Sequence, residues 1–184
     1  MKKYELTSES KLWFGRTLFR IKALVSFGGI ETGELGGFVE KEENLEQSGN
    51  AWVSGNAQVY GNAQVYGNAQ VSGNAQVYGD ARVLSRKHIA WFSSVGSEDG
   101  TLTAYTTKNG IEITRGCFCG SLEKFEAAVT KRHGESDFGK QYVALVQYIK
   151  LRFLGVTVEL EVEDATDAVP ETEIAAETEA DDAT

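Results

Sequence analysis

From residue 51 to residue 83 the apolar positions fall on a period of six. Val53, Val59, Val65, Val71, Val77 and Val83 form one column, and Ala51, Ala57, Ala63, Ala69, Ala75 and Ala81 form a second, two residues ahead of it. The polar positions keep the same beat: Gly-Asn precedes each alanine except the last, where Gly79-Asp80 stands instead. An α-helix does not accommodate this pattern. At about 100° per residue a period of six walks around the helix axis, and Gly, Asn and Val are poor helix formers. Alternation over short pieces does fit. Ala57 and Val59 face one way and Gln58 and Tyr60 the other, as on a strand. Gly61-Asn62 then supplies residue types that tolerate left-handed backbone angles and turn the chain. Each unit reads as a short strand and a corner, and three units make one eighteen-residue turn of a three-sided β-solenoid.

Such a turn places equal positions above one another, about 4.8 Å apart. The expected neighbours are Tyr60 over Tyr78, Tyr66 over Leu84, Ser54 over Ser72, Gln58 over Gln76 and Trp52 over Gln70. Tyr and Gln are expected on the outside. Upstream, in GGFVEKEENLEQSGNAWV, Leu45 and Val39 continue the alanine spacing less cleanly and add a degenerate first turn. Beyond Val83 the repeat stops, because Lys87 stands where the next alanine belongs.

The flanks read differently. LFRIKALV at 18–25 partly alternates, GGIETGELGG at 28–37 is rich in turn residues, and together they predict one or two strands that cover the first turn. After the repeat, IAWFSSV at 89–95 reads as a strand, and TLTAYTTKNGIEIT at 101–114 as a hairpin turning at Asn109-Gly110. Ser121 caps a helix over SLEKFEAAVTKRHG, with Glu123 in its first turn and Gly134 as its stop. Leu122, Phe125 and Val129 share its apolar side. A second helix over FGKQYVALVQYIKLRF gathers Tyr142, Leu145, Val146 and Ile149. VTVELEV, after Gly155, alternates as a last strand. The fold class expected is mainly β. A cap spans 1–37, a short left-handed parallel β-helix 38–88, a small α+β domain 89–163 and a disordered acidic tail 164–184.

Composition changes this picture little. The 184 residues suffice for one domain or two small ones, and 20 Gly against 1 Pro speaks for repeated tight turns. The net charge of −9 is misleading, because residues 159–184 hold 11 acids and no base, leaving the first 158 residues at +2. The tail composition does not support a packed core. No apolar stretch is long enough for a membrane span, and no secretion signal follows the first residues, so a cytoplasmic location is expected. Cys117 and Cys119 in GCFCG are two ligands where a structural zinc site needs four; they are expected as buried or half-buried free thiols.

The unit Val59-Tyr60-Gly61-Asn62-Ala63-Gln64 resembles the hexapeptide repeat of left-handed parallel β-helices, as in bacterial transferases of the hexapeptide class. The stretch 97–153, with GCFCG and LEKFEAAVTKRHG, resembles a domain found beside such repeats in many phage and prophage proteins, and GELGGFVEKEENLEQSGNAWV resembles that group too. The resemblance covers some four-fifths of the chain and implies an architecture; it implies little about activity. Acyltransferases of the class carry a catalytic histidine on or near the coils and bind an acyl donor between subunits of a trimer. Here no His, Cys or Lys stands between 42 and 86.

Candidate chemistry is correspondingly sparse. His88 and His133 are the two histidines, and they carry the enzymatic alternative, an acyltransferase-like activity. Asp137 is near enough in sequence to pair with His133. No phosphate loop, metal cluster or nucleophile elbow is present, no element suits a nucleic-acid groove, and no cofactor is implied. What remains is surface. Trp52, Tyr60, Tyr66 and Tyr78 form an aromatic set suited to an interface. Arg86, Lys87 and His88, and Lys131, Arg132 and His133, form two small basic clusters that suit an anion. The function expected is that of a non-catalytic, phage-derived binding protein that self-associates as a dimer or trimer. It either sequesters a small anionic ligand in a cleft between subunits or blocks a host defence protein. A structural virion or assembly role is the other alternative.

Overall fold

The computed structural model describes residues 1–154. The expected strand VTVELEV and the acidic tail lie outside the described residues. A mainly β region with mixed and parallel sheets comes first, and two α-helices follow it.

Six two-residue strands mark the repeat: β4 (Trp52–Val53), β5 (Gln58–Val59), β6 (Gln64–Val65), β7 (Gln70–Val71), β8 (Gln76–Val77) and β9 (Arg82–Val83). β4 pairs in parallel with β7, β5 with β8 and β6 with β9, each residue facing the one eighteen positions on. The chain therefore returns beside itself after three units, as the spacing predicts. Gln58 N–H donates to Ala75 O at 2.9 Å, Tyr60 to Val77 at 3.1 Å and Gln64 to Ala81 at 3.0 Å, so the ladder satisfies backbone groups that would otherwise be stranded in a narrow core. Every alanine of the column and every valine is fully buried. Only a small and a branched side chain fill each side, which leaves no slack for a larger one. The corner glycines Gly55, Gly61, Gly67, Gly73 and Gly79 all hold φ between +63° and +69°, a region that costs a side-chain-bearing residue dearly. The asparagines stand at the bends, where Asn50 reaches Asn68 and Asn62 reaches Asp80, each at 3.3 Å.

The upstream turn is real, but its register differs from the expected one. Val39 faces Val59 and Leu45 faces Val65, a step of twenty residues, so both belong to the valine column rather than the alanine column. The cause is a corner two residues longer between Leu45 and Ala51, preceded by a 3-10 turn at Glu42–Asn44. Asn44, fully buried, compensates for backbone N–H groups diverted into that turn: its amide donates to Gly61 O at 3.1 Å and Ala63 O at 2.9 Å. At corners lower in the stack the equivalent carbonyls, Gly67 O and Ala69 O, take backbone N–H donors from Asn50 and Trp52. Glu40 and Glu46 likewise accept the N–H of Gly61 and Gly67.

The N-terminal cap is larger than the sequence suggests. β1 (Tyr4–Trp13) and β2 (Arg16–Ala23) form an antiparallel hairpin turning at Phe14–Gly15, and β3 (Leu35–Val39) joins it to β5 in one sheet of order β1-β2-β3-β5-β8. Tyr4 anchors the hairpin, its hydroxyl lying 2.7 Å from Leu45 O and 2.9 Å from Glu42 O.

At the other end, β10 (Ile89–Val95), β11 (Gly100–Thr107), β12 (Gly110–Arg115) and β13 (Phe118–Ser121) form an antiparallel meander. α1 (Leu122–His133) and α2 (Asp137–Leu154) follow. The strands alternate. Leu102, Ala104 and Ile113 pack with Phe125, Val129, Tyr142 and Ile149 from the helices, whereas Tyr105 joins the core of the repeat. Thr103, Thr106 and Thr114 close the last turn. Gln76 N–H donates to Thr103 Oγ1, Thr114 Oγ1 donates to Gln76 O, and Thr106 Oγ1 donates to Arg82 O. An open strand edge is thereby covered.

Candidate functional site

The aromatic set does not form an open face. Trp52 is buried, edge-on to Phe27 at 5.5 Å and to Tyr4 at 6.4 Å. Tyr60 is buried with Leu18 and Phe38 beneath the hairpin and stacks on the half-buried Tyr78 at 4.8 Å with an interplanar angle of 11°. Gln58 is buried as well. Cap and meander cover the sides that the repeat taken alone presents to water. Tyr66 remains half-exposed, beside an acidic cleft of Glu42, Glu43 and Glu46.

The two basic clusters lie in different places. Arg86 donates to Gln70 at 2.8 Å, and its carbonyl accepts from Arg152; these two arginines line a cleft of about 430 Å³ with Trp91 and Tyr148. Lys87 is exposed, and its N–H is capped by Ser85. His88 closes the end of the repeat: its Nδ1 accepts the Leu84 N–H at 3.2 Å. Lys131 is exposed on the last turn of α1. His133 lies against Tyr142, ring centroids 5.4 Å apart, and among the described residues it forms no ion pair with Asp137.

Arg132 and His133 border a cleft of about 180 Å³ between the last turns of α1 and the β12–β13 turn. Phe118, Phe125 and Tyr142 line it, in edge-to-face contacts at 5.2 and 5.6 Å. Arg115 enters from β12. One Nη2 hydrogen goes to Val95 O at 2.7 Å, Glu98 stands 3.9 Å from Nη1, and the buried Nε has no partner. Sequence reasoning passed over Arg115. No sequence pattern points to it; in the fold a Cβ at residue 100 would fall on the guanidinium, and one at residue 96 on the Tyr142 hydroxyl.

A second cleft, of about 500 Å³, adjoins the first at Gly116 and Cys117 and holds Arg16, Lys41, Tyr60 and Tyr78. Of its two cations Arg16 is matched, since Glu40 accepts two bonds from it at 2.8 and 3.0 Å. Desolvation acts to raise the Glu40 carboxyl, but the Gly61 N–H and Arg16 together outweigh it and hold its pKa low. Burial, Cys119 and Tyr60 push the Tyr78 hydroxyl up, and burial with nearby Asp80 raises Glu112. Cys117 and Cys119 are free and exposed rather than buried. Gly116, at φ +57°, turns the chain out to an edge strand that has no outer neighbour among the described residues.

Chemically, the first cleft presents an apolar aromatic floor with three basic side chains and one acid. Among the described residues no cluster of His, Cys, Asp and Glu suits a metal ion, and no helix is long and apolar enough to cross a membrane. Residues 57–73 match the family described as the YdcK beta solenoid repeat, so this stretch is similar to a β-solenoid repeat. No curated protein matches the chain.

Proposed function

We propose that the protein is a non-catalytic, self-associating binding protein of phage origin that sequesters a small anionic ligand. Its repeat winds as a short left-handed parallel β-helix and serves as a scaffold. The eighteen-residue parallel pairing, the positive-φ glycine corners and the similarity of residues 57–73 to a β-solenoid repeat support a three-sided winding, and the resemblance of the unit to the hexapeptide repeat supports its left hand. The resemblance of the flanking segments to phage and prophage proteins supports the origin.

One observation carries the binding reading. Arg115, Arg132 and His133 converge on a single cleft whose floor is aromatic, with Glu98 as the one acid lining it. Positive side chains over desolvating apolar walls are how a protein holds an anion. Native mass spectrometry of the full chain, isolated from cells that carry its gene, tests this. A multimer that retains an acidic small molecule is the expected result. A bare monomer with no retained mass contradicts both self-association and sequestration.

A further inference from the structure

We propose that the cleft between α1 and the β12–β13 turn takes a single-ring aromatic carboxylate, with Arg115 as the residue that holds the carboxylate. The proposal deepens the anion-binding reading above and rests on it.

Size sets the first limit. A space of about 180 Å³ equals the liquid volume of roughly six waters at about 30 Å³ each. It lies below the range of about 300–1,000 Å³ typical of drug-sized and cofactor ligands. One ring with a short substituent fills it, and anything larger extends into the adjoining cleft at Gly116 and Cys117.

Shape sets the second. Phe118 meets Phe125 at 65° and Phe125 meets Tyr142 at 79°, so ring edges and faces alternate around the floor. A flat ring adds to such an array in the edge-to-face or offset geometry that aromatic quadrupoles favour. A hydrated inorganic anion gains nothing from that floor and loses water to it.

Charge sets the third. Arg132 sits on the last turn of α1 beside His133, where part of its charge answers the negative end of the helix dipole. Arg115 is placed differently. Its guanidinium lies over Gly100, is pinned through Nη2 to Val95 O and, with its side chain 12% exposed, borders the cleft already oriented. A guanidinium oriented beforehand gives a carboxylate charge-assisted hydrogen bonds at little further ordering cost. Glu98, 74% exposed and 3.9 Å away, is a weak competitor.

Calorimetric titration of the full-length protein with benzoate, benzamide and inorganic phosphate tests the assignment. Benzoate is expected to bind saturably, with benzamide and phosphate each at least tenfold weaker. Arg115→Met is expected to weaken benzoate at least tenfold. Because that change also removes the bond to Val95, Ala128→Leu provides a second variant. It fills the cleft from α1 and is expected to abolish binding while the melting temperature stays near that of the parent. Arg86→Met, in the separate cleft beside Trp91, is expected to leave binding unchanged. Phosphate equal to benzoate overturns the aromatic class and leaves the anion-binding reading standing. Benzoate binding that survives both Arg115→Met and Ala128→Leu overturns the location. Absence of binding by all three probes overturns the proposal; with a bare monomer in native mass spectrometry, the anion-binding reading falls too.

Discussion

Asn44→Ala removes a side chain that stands in for two missing backbone donors. In the native protein the Asn44 amide bonds Gly61 O and Ala63 O, and its Oδ1 accepts the Lys41 N–H at 3.0 Å. Alanine keeps the 3-10 turn possible but leaves all three groups without that partner. Lys41 is exposed and its N–H finds water, whereas Ala63 is fully buried and Gly61 half-buried. At about 1–3 kcal/mol for each buried polar group left unmade, the two carbonyls set an expected loss of about 2–6 kcal/mol. That is a large part of the roughly 5–15 kcal/mol by which domains are stable. Urea denaturation followed by fluorescence of Trp13, Trp52 and Trp91 measures it, with a lowered midpoint and an unchanged slope as the expected result. Asn44→Asp is expected to be worse than alanine at neutral pH, because a carboxylate then faces two carbonyl oxygens, and to recover in acid. A loss below about 0.5 kcal/mol for alanine, well under the cost of one unmade bond, refutes the reasoning that side-chain amide replaces ladder.

Four further outcomes are expected. Ala69→Leu places a branched side chain in a fully buried column and is expected to cost about 1–3 kcal/mol or more by overpacking, read from the same denaturation curves. Lys3, buried with its ammonium on Ser48 O and Ala51 O, has its pKa lowered to about 8, chiefly by burial. Between about 8 and the ordinary 10.5 the unfolded chain binds more protons than the folded one, so stability is expected to rise with pH across that window and to stay flat in Lys3→Met. Glu46 is held low by the Gly67 N–H and the Ser48 hydroxyl; its contribution is present above the usual carboxyl range and is expected to vanish as pH falls through its lowered value, an acid loss that Glu46→Gln reduces. Cys117 and Cys119 are exposed, so both are expected to react with a thiol reagent in the native protein without denaturant, and a requirement for unfolding would contradict their placement.

Much of this architecture is written in short-range pattern. The columns of Ala57 and Val59 and the Ser121 cap each rest on two or three neighbouring residues and stand where the pattern put them, while the hairpin turns one residue earlier than expected, at Lys108-Asn109, because Gly110 already pairs with Thr107. Features that depend on distant segments were not legible. Trp52 and Tyr60 read as surface because the repeat alone leaves them outside, and only the packing of Phe27, Leu18 and Phe38 covers them. β1 reads as polar, Glu5 to Lys11 supplying little alternation, because it is the outer strand of its sheet with water beside it. The register of Val39 and Leu45 turns on a longer corner that no period announces. Arg132 and His133 were visible as charge, but Arg115 joins them only through the fold of the meander against α1.

The eighteen-residue turn underlies the core, the corners and the covered aromatics alike, and hydrogen-bond scalar couplings measured by NMR read it directly. Transfers are expected from the Trp52 amide to the Ala69 carbonyl, from Gln58 to Ala75 and from Gln64 to Ala81, each a step of seventeen residues. Couplings at a step of eleven or twenty-three, the marks of a two-sided or four-sided winding, would contradict it.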